Sequence, residues 1–303
     1  MNPYIESVLT VICIYSLVTL GLQITIASGQ FSVMHAALMG AGGYAAGIIS
    51  VQFQVPFVLA LLVGLLVGGL FGVVVSVILR RTSGLLLGTV TVALGQSMSL
   101  TAQNLSVLGA SQGYTGVPLA TTLPSAAAAL ACGLAVVLLI GRARIGYAIL
   151  AVGKDETVAR SLGISVERVR AIAFGIGGAL AGLGGGLLAH NNGLIEPSNL
   201  AFSTEPLFFA FLIVGGLGSP WGAVLGTFLM WSLQEVLRFG QGGHFLFLST
   251  GDRYWVLGLI LIVVVVLRPD GLLHRRATPY PRGRARTTQL PTEEVPWTPA
   301  PSP

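Results

Sequence analysis

Residues 57–79 read FVLALLVGLLVGGLFGVVVSVIL, with no ionisable side chain from Phe57 to Leu79 and with Arg80–Arg81 directly after. A membrane-spanning helix takes about 20 mostly apolar residues. In hydrocarbon every backbone amide must be satisfied within the structure, which a helix does unaided. The stretch therefore reads as a membrane-crossing helix that ends on a pair of cations.

Working outward, the same pattern recurs along the chain. Ile5–Ala27 and Val33–Gln52 precede it, and Leu85–Leu105, Leu123–Ile140, Ala171–His190, Pro206–Gly216, Trp221–Leu237 and Tyr254–Leu267 follow. Pro206–Gly216 is too short to cross as a straight helix and reads as a tilted helix extended back towards Asn199, or as a re-entrant piece. The first span has Glu6 near its start and no basic stretch before it, so it reads as a membrane helix and not as a cleaved leader. The fold expected is all-α, a polytopic transmembrane bundle of about 8–9 spans that includes one short or broken segment.

Composition agrees. Only 9% of the 303 residues are charged and 53% are hydrophobic, and the mean hydropathy is +0.83. That leaves too little polar surface for a soluble globule. All of the 16 Lys and Arg except Arg238 and Arg253 fall in three places: Arg80–Arg81, the stretch from Arg142 to Arg170, and the tail from Arg268 to Arg286. Nine crossings bring these three to one face. The positive-inside rule then puts the N-terminus outside and the C-terminus inside. Residues 1–273 form the membrane domain, with a polar loop at 141–170. Residues 274–303, rich in Pro, Arg and Thr, are expected to be a disordered tail, its basic half near anionic lipid.

Enzyme signatures are missing. The chain contains no phosphate-cradling GxxxxGK[ST], no HExxH and no GxSxG, and the four His share no metal-ligand spacing. No cofactor, metal or nucleic acid is implied. Cys13 and Cys132 read as small apolar fillers. His190, His244 and His274 read as polar groups at interfaces or in loops. His35 and Glu235 are ionisable groups inside spans, which makes both functional candidates, and Glu235 has a ready partner in Arg238, three residues on.

Glycine concentrates in Gly40–Gly47, in Gly175–Gly186 and in the break Gly215-Gly216-Leu217-Gly218-Ser219-Pro220-Trp221-Gly222. Such residues permit close helix crossings, and equally a backbone-lined path. The break implies a tight turn between short helices. In the polar loop, Lys154-Asp155-Glu156 opens a short helix over Thr157–Leu162 that stops at Gly163, and Ser165 starts a second short helix. On charge alone the loop could equally be a solvated topology signal.

Five ordered motifs resemble one family. They are Gly29-Gln30-Phe31-Ser32 with His35-Ala36-Ala37, Gly40 and Gly43-Tyr44; Thr115-Gly116-Val117-Pro118; the loop from Gly141 to Arg170; Val214-Gly215-Gly216-Leu217-Gly218-Ser219-Pro220-Trp221-Gly222; and Leu267-Arg268-Pro269-Asp270-Gly271-Leu272. Together they are similar to the LivM-type permeases, membrane subunits of branched-chain amino acid ABC importers. The chain departs from that pattern at Val33-Met34, at Gly153–Glu156 and in its extra tail.

The resemblance implies a permease that hydrolyses nothing itself. Its partners would be two ABC ATPase subunits, a second and different permease subunit, an external solute-binding protein and the inner-membrane bilayer. It implies that the loop docks on an ATPase through Gly146, Lys154, Asp155, Glu156, Ala159, Arg160, Leu162 and Gly163. Ala159, Leu162 and Ile164 would be the apolar anchors. Gln30, Ser32, His35, Gly40, Gly43, Tyr44, Gly215, Gly216, Gly218 and Trp221 would line or pack the path. Urea or short amides are an alternative solute class. An ion-coupled carrier is the alternative mechanism, disfavoured in sequence because Glu235 is the only carboxylate read within a span.

Overall fold

The computed structural model describes residues 2–82, 84–239, 258–259, 261–263, 266–268 and 271–273. Most of the expected span Tyr254–Leu267, together with Arg253, His244, His274 and the tail, lies outside them.

The described residues are mostly helical. The helices are α1 (Pro3–Ala27), α2 (His35–Gln52), α3 (Phe57–Ile78), α4 (Gly84–Asn104), α5 (Leu123–Arg142), α6 (Arg144–Lys154), α7 (Glu156–Ser161), α8 (Val166–Asn192), α9 (Glu205–Gly215) and α10 (Pro220–Phe239). Two short strands, β1 (Tyr114–Thr115) and β2 (Leu194–Ile195), pair antiparallel. Among the described residues, five helices are long and apolar enough to cross a bilayer, α1, α3, α4, α5 and α8. A sixth crossing is possible if α9, with the turn before it, and α10 count as one pair bent by 116°.

Of the remaining expected spans, Tyr254–Leu267 lies mostly outside the described residues, and two others have local physical reasons for not counting. α2 is diluted by Gly, Ala, His and Gln, but most of it is buried against protein, so it needs no lipid-facing surface. α9 has 11 residues and reaches only part of the way.

α8 is the hub. Its glycines face α3 in register. Gly182, Gly178 and the Phe174 carbonyl meet Gly64, Gly68 and Gly72 backbone to backbone, and Gly177 meets Gly21 of α1. Gly42 and Gly43 of α2 lie against Gly182 and Gly185. A methyl group at any of these positions would collide with main chain. The opposite side of α3 presents Val58, Leu62, Leu66 and Leu70 outward, as a lipid-facing stripe requires. Leu85, Leu86 and Leu139 are likewise exposed on α4 and α5.

The ends of the helices form two faces. On one lie Ala27 and Gly29 against Gly153, the α6–α7 loop, the end of α3 with Arg80–Arg81, and the turn between α9 and α10. Leu272 and Leu273 return to that turn, donating backbone N–H groups to the carbonyls of Val214 and Gly215 at 3.0 Å each. On the other face lie Asn2, Gln52–Phe57, the β1–β2 pair, Asn192 and Arg238. Every Lys and Arg described except Arg238 belongs to the first face.

The chain does not cross only as helix. Residues 28–34 turn at Ser28–Gly29 and run as irregular chain before α2, and residues 193–204 pass β2 and two 3₁₀ turns before α9. Their backbones are satisfied by neighbours: Thr91 Oγ1 accepts from Val33 N at 3.0 Å and Ser99 Oγ donates to the Pro197 carbonyl at 2.9 Å. Leu200 fills the space that Gly40 leaves open.

If the glycine seam sets the spacing, adding bulk there is destructive. Gly182→Val should destabilise the bundle by about 3 kcal/mol or more, the upper end of overpacking costs. Gly141→Val, where nothing lies within 4 Å, should be tolerated. Thermal unfolding in detergent, followed by size-exclusion profile, compares the two.

Candidate functional site

Three features gather the polar groups of the chain: a buried polar node, the α6–α7 loop, and a cavity on the face opposite that loop.

The node joins the two interrupted crossings. Glu205, the first residue of α9, is 1% exposed and places its carboxylate at the N-terminus of α2. Oε1 accepts from His35 N at 3.0 Å and Oε2 from Ala36 N at 2.6 Å. The first amides of a helix have no partner within it, and the helix dipole favours an anion there. The His35 ring contributes little to this pairing, because its Nδ1 stays 4.0 Å from Glu205 Oε1, beyond hydrogen-bond reach. Its Nε2 instead meets Thr25 Oγ1 at 3.1 Å, and Thr25 donates to the Gly21 carbonyl at 3.2 Å. With the hydroxyl proton so used, the ring is the donor to Thr25. Gly177 leaves room for this pair, since a Cβ there would strike Thr25 Oγ1.

Sequence reasoning missed Glu205. The statement that Glu235 is the only carboxylate within a span is corrected twice: Glu6 stands in the first turn of α1, inside the expected span Ile5–Ala27, and Glu205 is buried at the start of α9. Its one legible signal was a carboxylate followed by Pro at the head of an apolar run, a helix-start pattern. His190 is also corrected. It is 1% exposed, and bonds Ser50 Oγ at 2.7 Å and the Gly186 carbonyl at 2.8 Å.

The remaining candidates of the first motif surround the node. Gln30 and Ser32 are buried, and Ser32 Oγ has no hydrogen-bond partner among the described residues. Gly40 and Gly43 serve packing, and Tyr44 belongs to a separate small core with Val117, Ile195 and Leu200. Gly215 packs on Gly222, and Gly216 takes a φ of 110° at the break. Gly218 and the half-exposed Trp221 lie on the basic face. The structure thus separates the break from Tyr44 and brings it near the loop.

The loop departs from expectation. The segment Arg144–Lys154, read only as part of the polar loop, is the amphipathic helix α6 that buries Gly146, Ile149 and Val152. The second short helix at Ser165 is instead the first turn of the long α8. α7 forms as expected. Asp155 caps it, accepting from Thr157 N at 2.8 Å and Val158 N at 3.0 Å, and Gly163 closes it at φ 78°. Ala159, expected as an outward anchor, is 1% exposed. A helix of this length has one inward face and Ala159 occupies it. Leu162 is outward at 72%, joined by Val158 and Tyr147, while Lys154 is exposed beside them.

Charges fasten α7 to α8. Glu156 Oε1 accepts from Arg160 at 2.9 Å, Arg160 bonds Glu167 Oε1 at 2.5 Å, and Arg170 bonds Glu156 Oε2 at 2.8 Å. The Arg160 guanidinium, with Arg170 behind, holds the Glu156 carboxyl below its usual range.

The cavity, of about 520 Å³, lies between α1, α9 and α10. α1 lends Tyr15. The turn before α9 lends Ser203 and Thr204, and α10 lends Trp231, Gln234, Glu235 and Arg238. Arg238 Nε is 3.1 Å from Glu235 Oε2 and the Tyr4 hydroxyl donates to that same oxygen at 2.5 Å. No group of three or more possible metal ligands exists among the described residues.

Comparison with known proteins adds the following. Residues 4–266 match the family described as branched-chain amino acid transport system, permease component. The chain is 29% identical over 132 residues to the high-affinity branched-chain amino acid transport permease LivM of Escherichia coli, covering 44% of this chain and 29% of that protein. It is 32% identical over 142 residues to LivH of the same organism, covering 47% and 44%. Against BraD of Pseudomonas aeruginosa it is 33% identical over 140 residues, covering 46% and 42%. The chain therefore aligns with less than half the length of each of these relatives. No solved structure matches.

Glu205→Gln puts an amide N–H₂ against a backbone donor. It should cost about 1.5–3 kcal/mol, the range for a hydrogen bond to a charged group, read as a lowered unfolding midpoint; an unchanged midpoint would refute the capping role. For Glu156, a lowered carboxyl pKa means its contribution is complete above the unfolded-chain range and disappears as pH falls through the lowered value. Dipolar broadening between spin labels at positions 158 and 168 should stay constant through the ordinary carboxylate range and weaken only below it.

Proposed function

We propose that this chain, which belongs to the family of branched-chain amino acid transport permease components, forms the translocation path of an ATP-driven importer for branched-chain or similar amino acids. In this reading the chain lies in the inner membrane with its N-terminus outside. The basic face, with the α6–α7 loop, is cytoplasmic by the positive-inside rule. A second permease subunit completes the path, a solute-binding protein delivers the amino acid outside, and two ATPase subunits act inside. The chain itself hydrolyses nothing.

The observation that supports this best, beside the family match, is the build of the loop. Val158 and Leu162 stand out from a ring of Lys154, Asp155, Glu156 and Arg160. An apolar centre with a charged rim suits a docking surface. The salt bridges to Glu167 and Arg170 join that surface to α8, so a displacement imposed on α7 reaches the centre of the bundle. ATP-driven closure of the partners would then move α8 as a rigid element.

An ion-coupled carrier gains nothing from Glu205, although its burial removes the sequence argument against such a mechanism. Both carboxylate oxygens are occupied by backbone amides of α2, an architectural use.

Replacing Val158 and Leu162 together by Asp should reduce co-purification of the ATPase subunits by at least about tenfold, as loss of two central interface contacts does, with the membrane level of the chain unchanged. Equal recovery would overturn the docking assignment. In a variant lacking Cys13 and Cys132, a membrane-impermeant thiol reagent added outside should label a cysteine at Leu119 and leave one at Val158 unlabelled; the reverse would overturn the orientation.

A further inference from the structure

The cavity between α1, α9 and α10 has properties that packing alone does not require. Its volume, about 520 Å³, falls in the range of small-molecule sites, roughly 300–1,000 Å³. It lies on the face away from the α6–α7 loop. It adjoins the place where a 3₁₀ turn, Phe202–Thr204, leads into α9 at Glu205. Interrupted helices are where transporters place polar solutes, because such breaks offer backbone and side-chain polar groups at depth.

Its chemistry is two-sided. One part is apolar, from Leu207, Ala210 and Met230. The other holds one anion and one cation on a single helical turn, Glu235 and Arg238, 3.1 Å apart. An ion pair of this kind, with the Arg238 side chain 53% exposed, adds little to stability. Its two charges can each exchange their mutual contact for a ligand group of opposite sign.

We propose that this cavity is the entry site for the solute, receiving a free amino acid as its zwitterion. Glu235 takes the α-ammonium, Arg238 takes the α-carboxylate, and the branched side chain lies against Leu207, Ala210 and Met230. This rests on the importer reading above and deepens it, since a neutral solute such as urea would make no use of a paired anion and cation. Discrimination follows from the two charges: an analogue lacking either leaves one of them facing an apolar ligand.

The test uses the full chain assembled with its transport partners in spheroplasts, with Cys13 and Cys132 replaced by Ser and Gln234→Cys introduced. An impermeant thiol reagent added outside should modify this cysteine. Millimolar leucine should slow modification by about tenfold, the effect of one charge-assisted contact made to the ligand. 4-Methylpentanoate, leucine without the ammonium, and isoamylamine, leucine without the carboxylate, should not. Labelling that is absent, or equal with and without leucine, overturns the assignment.

Radiolabelled leucine uptake runs in parallel. Glu235→Gln and Arg238→Gln should each lower the maximal rate by about tenfold on the same grounds, with ATPase co-purification intact. The exchanged pair, Glu235→Arg with Arg238→Glu, should not restore it. Restoration would mean that only the ion pair matters and would overturn the ligand role. If the unmodified transporter takes up no branched-chain amino acid, the importer reading itself fails. If uptake is normal and leucine gives no protection, the cavity assignment alone fails.

Discussion

The contact on which the rest of the structure depends is the one between bare backbones along α8. In hydrocarbon there is no hydrophobic force to drive one helix onto another, since lipid tails are as apolar as Leu. What remains is close packing and weak Cα–H···O contacts between main chains, and both require that side chains be absent at the seam. Gly178 and Gly182 against Gly68 and Gly64, Gly177 against Gly21, and Gly185 against the Met39 carbonyl meet that condition on three sides of one helix. The high glycine content, 41 residues, is thereby explained by geometry and not by flexibility. α9 and α10 repeat the device on a smaller scale, where Gly215, Gly222 and Gly226 meet.

Such a seam lets α8 hold three neighbours at once, and that in turn makes interrupted crossings tolerable. Extended chain at membrane depth leaves amides and carbonyls that lipid cannot satisfy. Here α2 starts at His35 with its first amides taken by Glu205 from the far end of the sequence. One carboxylate thus ends the exposure of one break and opens the helix that follows the other. The charge is neutralised by dipole and hydrogen bonds together, without a cation at contact distance. This explains why the ring of His35 can turn away to Thr25.

Much of this was legible in the chain, and the parts that were not share a cause. α3 and α5 are set by uninterrupted apolar runs bounded by charge or by Pro, so their limits are local properties and were read within a residue or two. The capped helix α7 was local too: Asp155 and Gly163 lie at its own ends. Glu205 was not legible because the amides it binds are about 170 residues away in the chain. α6 was hidden because its cations, Arg144 and Lys154, drew the reading towards a topology signal, while its helical period is carried by Gly146, Ile149 and Val152. Ala159 was assigned outward because composition alone cannot tell which side of a short helix meets the rest of the molecule. The cavity needed three elements far apart in sequence, of which only Glu235 and Arg238 had been singled out.

The same geometry bears on how force would travel in the proposed importer. α7 is bound to α8 by Glu156, Arg160, Glu167 and Arg170, and α8 to α1, α2 and α3 by the seam, where main chain meets main chain at several positions. These elements have to move as one body, because any sliding between them would drive Cα atoms into carbonyls. α9 and α10 are attached differently, through ordinary side chains such as Tyr15 on Phe208 and Trp231 and the Thr227–Thr19 hydrogen bond of 3.1 Å. Side chains can change rotamer and re-form contacts, so the softer boundary lies between α1 and the bent pair. The cavity with Glu235 and Arg238 is at that boundary. A load applied at α7 is thus delivered, through a stiff body, to the wall that can yield.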